Sequence, residues 1–99
     1  MTEKFQKLVD ANIELLPLPE ISTHFVFHRD GFAALVDRVR DEFGKVGTAG
    51  LLTERGIAPL VWRQDDAFFV LKDVEQAATP FEVQQLRAFQ RDLESALGS

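Results

Sequence analysis

His24 and His28 are the only imidazoles in the chain, and they stand four residues apart. On a helix that spacing would aim both rings at one metal ion. Residues 21–28, however, read Ile-Ser-Thr-His-Phe-Val-Phe-His, and such a run of β-branched and aromatic side chains favours a strand. Side chains alternate across a strand, so His24, Val26 and His28 share one face while Phe25 and Phe27 share the other. The two rings are then about 13 Å apart at ~3.3 Å per residue, too far for a single ion. Neighbouring carboxylates such as Asp30 and Glu20 would be needed to complete a site on that face. The expected metal set is therefore empty, and no cofactor is implied.

Other candidate chemistry dissolves in the same way. His28-Arg29-Asp30 matches the catalytic-loop tripeptide of protein kinases, but the downstream asparagine, glycine-rich loop, strand lysine and Asp-Phe-Gly segment are all missing. The triplet reads instead as the approach to a hairpin turn. Gly44-Lys45-Val46-Gly47-Thr48-Ala49-Gly50 has the glycines of a phosphate loop without the Gly-Lys-Ser/Thr ending. It reads as a connection that could at most hold a small anion in a nest of amides. None of Ser22, Ser95 and Ser99 sits in a Gly-x-Ser-x-Gly elbow. The absence of cysteine excludes disulfides, thiol catalysis and cysteine-bound zinc. Sixteen carboxylates guarantee some close pair in any fold, but only an apolar setting would make one a proton donor. No catalytic residue is assigned, and enzymatic activity stays open.

Trp62, Phe68, Phe69 and Arg63 point to binding rather than catalysis. If residues 67–72 are a strand, Phe68 and Phe69 face opposite ways, while Trp62 shares a face with Leu60 and Ala58. An aromatic left on an uncovered face marks a contact surface. Arg63 and Arg55 would flank it and could pair with carboxylates. The candidate ligand or interaction residues are thus His24, His28, Asp30, Trp62 and Arg63.

The elements that must position these residues follow from periodicity. Residues 2–13 read as an amphipathic helix, with Phe5, Leu8, Val9, Ile13 and Leu16 near helical spacing and Thr2 as a cap. Pro17 and Pro19 stop that helix and hold residues 15–19 extended. Thr79-Pro80-Phe81-Glu82 is a capping box with proline in the first turn. It opens a helix whose stripe is Val83, Leu86, Phe89, Leu93 and Leu97, closed by Gly98. Between the helices, a doublet organises the chain. Gly31-Phe32-Ala33-Ala34-Leu35-Val36-Asp37-Arg38 is echoed by Gly56-Ile57-Ala58-Pro59-Leu60-Val61-Trp62-Arg63. Pro59 argues against helix in the second copy at about 3 kcal/mol, so both copies read as strands entered through a glycine turn.

This predicts one α+β domain over residues 1–99: an N-terminal helix, a five-strand antiparallel meander and a C-terminal helix packed on one face. The strands are 21–28, the first doublet copy, 49–54, 57–63 and 67–72, with 40–48 a loop. The alternative is a β-α-β-β-β-α order in which residues 30–43 are helical, with Phe32, Leu35, Val36, Val39 and Phe43 as the stripe.

Composition bounds the function class. The chain has 99 residues, is 45% hydrophobic and 27% charged, and carries a net charge of −5. That acidic balance repels phosphate backbones, so nucleic acid is not an expected partner. No run of about 18 apolar residues exists to span a membrane, and no apolar leader follows Met1, so a cytoplasmic home is the expectation. A sheet with apolar residues on both faces and only two helices predicts self-association. The expected function is a non-catalytic interaction or ligand-binding module that forms a homo-oligomer, with a protein or small-ligand partner. The alternative is a small metal- or ligand-dependent enzyme subunit working through the His24 and His28 face.

Overall fold

A computed structural model describes residues 2–17, 23–40 and 42–98. The chain is α+β, with two helices and one antiparallel sheet. Helix α1 spans Thr2–Asp10. Seven strands follow: β1 Glu14–Leu16, β2 His24–Arg29, β3 Phe32–Val39, β4 Glu42–Thr53, β5 Gly56–Arg63, β6 Asp66–Leu71 and β7 Val74–Ala77. Helix α2, Pro80–Leu97, closes the chain. The sheet is a pure meander in the order β1-β2-β3-β4-β5-β6-β7.

The meander has seven strands rather than the expected five. The two additions are the short edge strands β1 and β7, of three and four residues. Expected strand residues 21 and 22 lie outside the described residues. None of the described residues among 30–43 is helical: Asp30 (φ 55) and Gly31 (φ 86) make a tight turn, and β3 follows at once. Both doublet copies are therefore strands, but they are not equivalent. Phe32 and Ala58 both pair with Leu51, from opposite sides of β4. The sequence match instead aligns Phe32 with Ile57. That one-residue shift turns matched side chains to opposite faces, as the two-residue period of a strand requires.

Residues 42–48, expected within a loop, belong to strand β4, and Arg40 lies in the turn before it. Within β4, Phe43, Val46 and Ala49 stand opposite Arg38, Val36 and Ala34. Each step of three residues on β4 is matched by two on β3, which makes two β-bulges. The bulges keep Phe43, Val46, Ala49 and Leu51 on one face. Glycine makes this packing feasible, since a Cβ on Gly44 would come within 3.0 Å of Asp37 Cβ, and one on Gly47 within 3.1 Å of the Leu35 carbonyl oxygen.

Helix α1 ends at Asp10, well before Pro17. Asn12 takes a left-handed conformation (φ 59). The Ile13 amide donates to the Leu8 carbonyl, and the Asn12 amide donates to that of Val9. This is a Schellman closure, reinforced by apolar burial of Leu8 and Ile13. Helix α2 begins as expected. Thr79 and Glu82 satisfy each other's backbone amides, and Gly98 (φ 76) terminates the helix.

Both helices pack on the inner face of the sheet. There Leu8 and Ile13 meet Phe27, Phe32, Val36 and Phe69, together with Leu86, Phe89 and Leu93 of α2. Phe43 stacks edge-on against Phe5, Phe25 and Phe27. The sheet curls around this core. In a flat sheet β3 and β6 would be about 14 Å apart, at ~4.8 Å per strand. The Phe32 and Phe69 rings instead lie 5.9 Å apart.

Candidate functional site

The outer face carries no helix among the described residues. Alternation assigns its side chains. Phe27 and Ala34 point inward and pair across β2 and β3, so His24, Val26 and His28 point outward, opposite Asp37, Leu35 and Ala33. On β5 the inward residue is Ala58, so Ile57, Pro59, Val61 and Arg63 point outward. On β6 Phe69 is inward, which places Phe68 and Val70 outside.

The five sequence-derived residues do not form one cluster. His24 and His28 share the outer face, each with a carboxylate partner. His24 Nε2 is 3.2 Å from Asp37 Oδ1, and His28 Nε2 is 3.9 Å from Glu14 Oε2. Asp30 is spent on the β2–β3 turn, with its carboxylate 3.9 Å from Arg29 Nε. Arg63 is on the same face as the histidines but three strands away, ion-paired with Glu75 and lying over the Phe68 ring. Trp62 points the other way. It sits on the helix side, half-exposed, with the Arg87 guanidinium of α2 5.9 Å from its ring. The outward aromatic on this part of the sheet is Phe68. Among the described residues, no group of three or more histidines and carboxylates is placed to hold a metal ion.

What the structure does assemble is a groove around His24. It is lined by His24, Leu35, Asp37, Gly47, Thr48, Ile57 and Pro59, and has a volume of about 290 Å³. Its cause is a break in strand pairing. The β4–β5 ladder runs from Thr53↔Gly56 to Gly50↔Pro59 and stops there. Beyond that rung β5 pairs with β6 only, from Leu60 onward. Pro59 has no amide to donate, and the bulge at Gly47 and Thr48 turns β4 aside. The strands diverge and leave a cleft with an apolar floor of Leu35, Ile57 and Pro59 under a polar rim.

The rim is connected. The Thr23 hydroxyl is 2.8 Å from His24 Nδ1, and His24 Nε2 is 3.2 Å from Asp37. Hydroxyl, imidazole and carboxylate thus form a chain, the order a proton relay uses. The setting is wet: the His24 and Asp37 side chains are 33% and 52% exposed. High dielectric weakens any electrostatic work such a chain could do, and the carboxylate keeps accepting capacity beyond its one imidazole contact.

A second cavity of about 320 Å³ lies between the helices, lined by Lys7, Asp10, Ala11, Asp92, Ser95 and Ala96. Its neighbour Arg29 has a structural task. Arg29 Nη1 donates to Asp92 Oδ2 and to the Ala11 carbonyl, both at 2.9 Å, and so ties β2 to α2 and to the turn that follows α1.

Sequence reasoning missed Thr23, Asp37 and the groove floor. No helix among the described residues is long and apolar enough to cross a membrane. No family model, curated protein or solved structure matches the chain.

Proposed function

We propose that the chain is a non-catalytic binding module that self-associates through the outer face of its sheet. The observation behind this reading is the apolar strip on that face, formed by Leu16, Leu35, Leu52, Ile57, Pro59, Val61, Phe68 and Val70, all partly or well exposed. It crosses from β1 to β6, while both helices sit on the other side. The strip has a rim of paired polar groups, with Glu14 beside His28 and Asp37 beside His24 on one margin and Arg63 with Glu75 on the other. An apolar centre with a polar rim is the anatomy of protein interfaces.

A second copy is the occupant that the charge layout favours. The two margins differ in character, since carboxylates and histidines flank β2 and the Arg63–Glu75 pair flanks β5. A two-fold axis would bring Arg63 of one copy toward the Glu14 and Asp37 margin of the other, in a self-complementary contact. The alternative route to self-pairing, through the free side of β4 between Glu42 and Thr48, is blunted by two bulges and by Lys45, the usual protections of a sheet edge. Sedimentation equilibrium tests the reading. The expected result is a dimer in the micromolar range that Val61→Glu converts to monomer without loss of the folded spectrum. A monomer at every concentration overturns it.

One observation favours a second reading, a small enzyme subunit working through the His24 and His28 face: the Thr23–His24–Asp37 chain. That reading requires hydrolysis of an activated ester that disappears in His24→Ala. Its metal-dependent form requires a melting temperature raised by a divalent cation, by about 2.7 kcal/mol of added stability at 100 times the dissociation constant.

A further inference from the structure

The groove has a chemical preference of its own. Its floor is aliphatic, formed by Leu35, Ile57 and Pro59, and its rim carries one carboxylate, Asp37. Both ring nitrogens of His24 are engaged, by Thr23 and by Asp37. Asp37 has one oxygen 3.2 Å from the imidazole, and a carboxylate offers about four acceptor positions in all. Thr48 lines the same wall. The backbone of Gly47 and Thr48 has no strand partner on the β5 side among the described residues, because the ladder ends at Gly50↔Pro59. The site therefore presents acceptors and a negative charge above an apolar bed. A volume of about 290 Å³ lies at the small end of ligand pockets, which begin near ~300 Å³.

We propose that this groove binds a small primary ammonium compound with a short aliphatic body. Its nitrogen donates to Asp37 and its chain lies on Leu35, Ile57 and Pro59. An anionic head group of the same length is repelled by Asp37, and a neutral one lacks the charge-assisted bond that makes a carboxylate contact strong. The site shares the outer face with the self-association surface but does not rest on it. A seated ammonium would occupy the carboxylate that Arg63 of a second copy would approach, so ligand and second copy compete.

The test is amide NMR of the full chain at dilution, titrated separately with hexylammonium, hexanol and hexanoate. Hexylammonium is expected to give saturable shifts confined to Leu35, Asp37, Gly47, Thr48 and Ile57, with millimolar affinity. Hexanoate should leave these amides unmoved, and hexanol should bind about tenfold more weakly or worse. Asp37→Asn should lose at least about tenfold in affinity while the rest of its spectrum stays in place. His24→Gln keeps the Asp37 charge and removes its imidazole partner, so it should bind hexylammonium at least as well as the unchanged chain. It serves as the charge-retaining variant if Asp37→Asn does not fold. The proposal is overturned if hexylammonium gives no saturable shift at the groove, if hexanol binds equally well, or if either variant behaves in the opposite sense. A chain that stays monomeric at high concentration yet binds hexylammonium would remove the self-association reading and leave this one standing.

Discussion

Gly50 is the position where one added methyl group tests the whole account of the sheet. It pairs with Pro59 at the last rung of the β4–β5 ladder. A Cβ built there would lie 2.3 Å from the Ala58 carbonyl oxygen, 2.6 Å from its carbon and 2.9 Å from Ile57 Cγ2. Carbon and oxygen tolerate about 3.3 Å at closest, so Gly50→Ala must push β5 away by roughly 1 Å. No side-chain rotation relieves this, because the obstacle is backbone. A shift of that size stretches neighbouring ladder bonds from about 2.9 Å to beyond the hydrogen-bonding limit, at ~1 kcal/mol each. Overpacking adds about 1–3 kcal/mol, and the stiffer unfolded chain returns about 0.5–1 kcal/mol. The expected net loss is about 3 kcal/mol, or a melting temperature lower by roughly 12–24 °C for a domain of this size. Urea denaturation followed by circular dichroism measures it. Gly47→Ala is the control, since its Cβ would stand 3.1 Å from the Leu35 oxygen and a few tenths of an ångström suffice. It should cost less than about 1 kcal/mol. If Gly50→Ala unfolds at the same urea concentration as the unchanged chain, β4 and β5 do not approach as described, and the origin assigned to the groove fails with them.

The remaining predictions concern polar ties at the helices and between two turns of the sheet. Arg29 is 15% exposed and bonded to Asp92 and Ala11, with its guanidinium 5.7 Å from the Phe89 ring. Arg29→Met should cost about 2 kcal/mol, below the range for a fully buried pair because Asp92 is 34% exposed. The double variant Arg29→Met with Asp92→Leu should recover part of that loss in the same urea assay, and no recovery would mean that the pair is not what Arg29 supplies. Thr79→Ala removes the acceptor for the Glu82 amide and should cost about 1 kcal/mol, whereas Thr79→Asp should restore most of it. The exposed pair Arg55–Asp73, at 2.8 Å, links two turns across the sheet. Asp73→Asn should change stability by less than about 1 kcal/mol, and by less still in high salt.

The sequence revealed those parts of the fold whose signal is local. The box Thr79 to Glu82 and the stripe from Val83 to Leu97 are contained within one helix, and α2 forms where they place it. The doublet supports a strand over its first copy, residues 31–38, through Pro59, a backbone argument that does not depend on neighbours, and through the strand preference of Val61 and Trp62. What could not be read was set by pairing. Phe43, Val46 and Ala49 recur every three residues, which looks like neither strand nor helix until two bulges supply the extra residues. Strands β1 and β7 are too short for a period to develop, and each is a strand because a neighbour templates it. The His24–Asp37 pairing is implicit in the turn that precedes β3. A two-residue turn at Asp30 and Gly31 places Arg29 opposite Phe32, and counting outward from that rung puts His24 opposite Asp37. The residues that identify the turn therefore also fix this register.

The curl of the sheet and the groove have a single origin. Phe69 reaches Phe32 only because the β5–β6–β7 half leaves the plane of the first four strands. It leaves at Gly50 and Pro59, where one residue lacks a side chain and the other lacks an amide. A flat continuation would pair Thr48 with Val61 and fill the cleft between them. It would also hold Phe69 about three strand spacings, or roughly 14 Å, from Phe32 and leave the core around Phe89 open on that side. Closure of the inner face therefore forces a gap on the outer one. That gap has the His24 and Asp37 side chains at its rim because they form the next outward rung of β2 and β3 beyond Val26 and Leu35. A substitution that restored pairing across the gap would remove the groove and loosen the core together, so stability of the core and shape of the groove should change in step across any series of changes at positions 47–50 and 57–61.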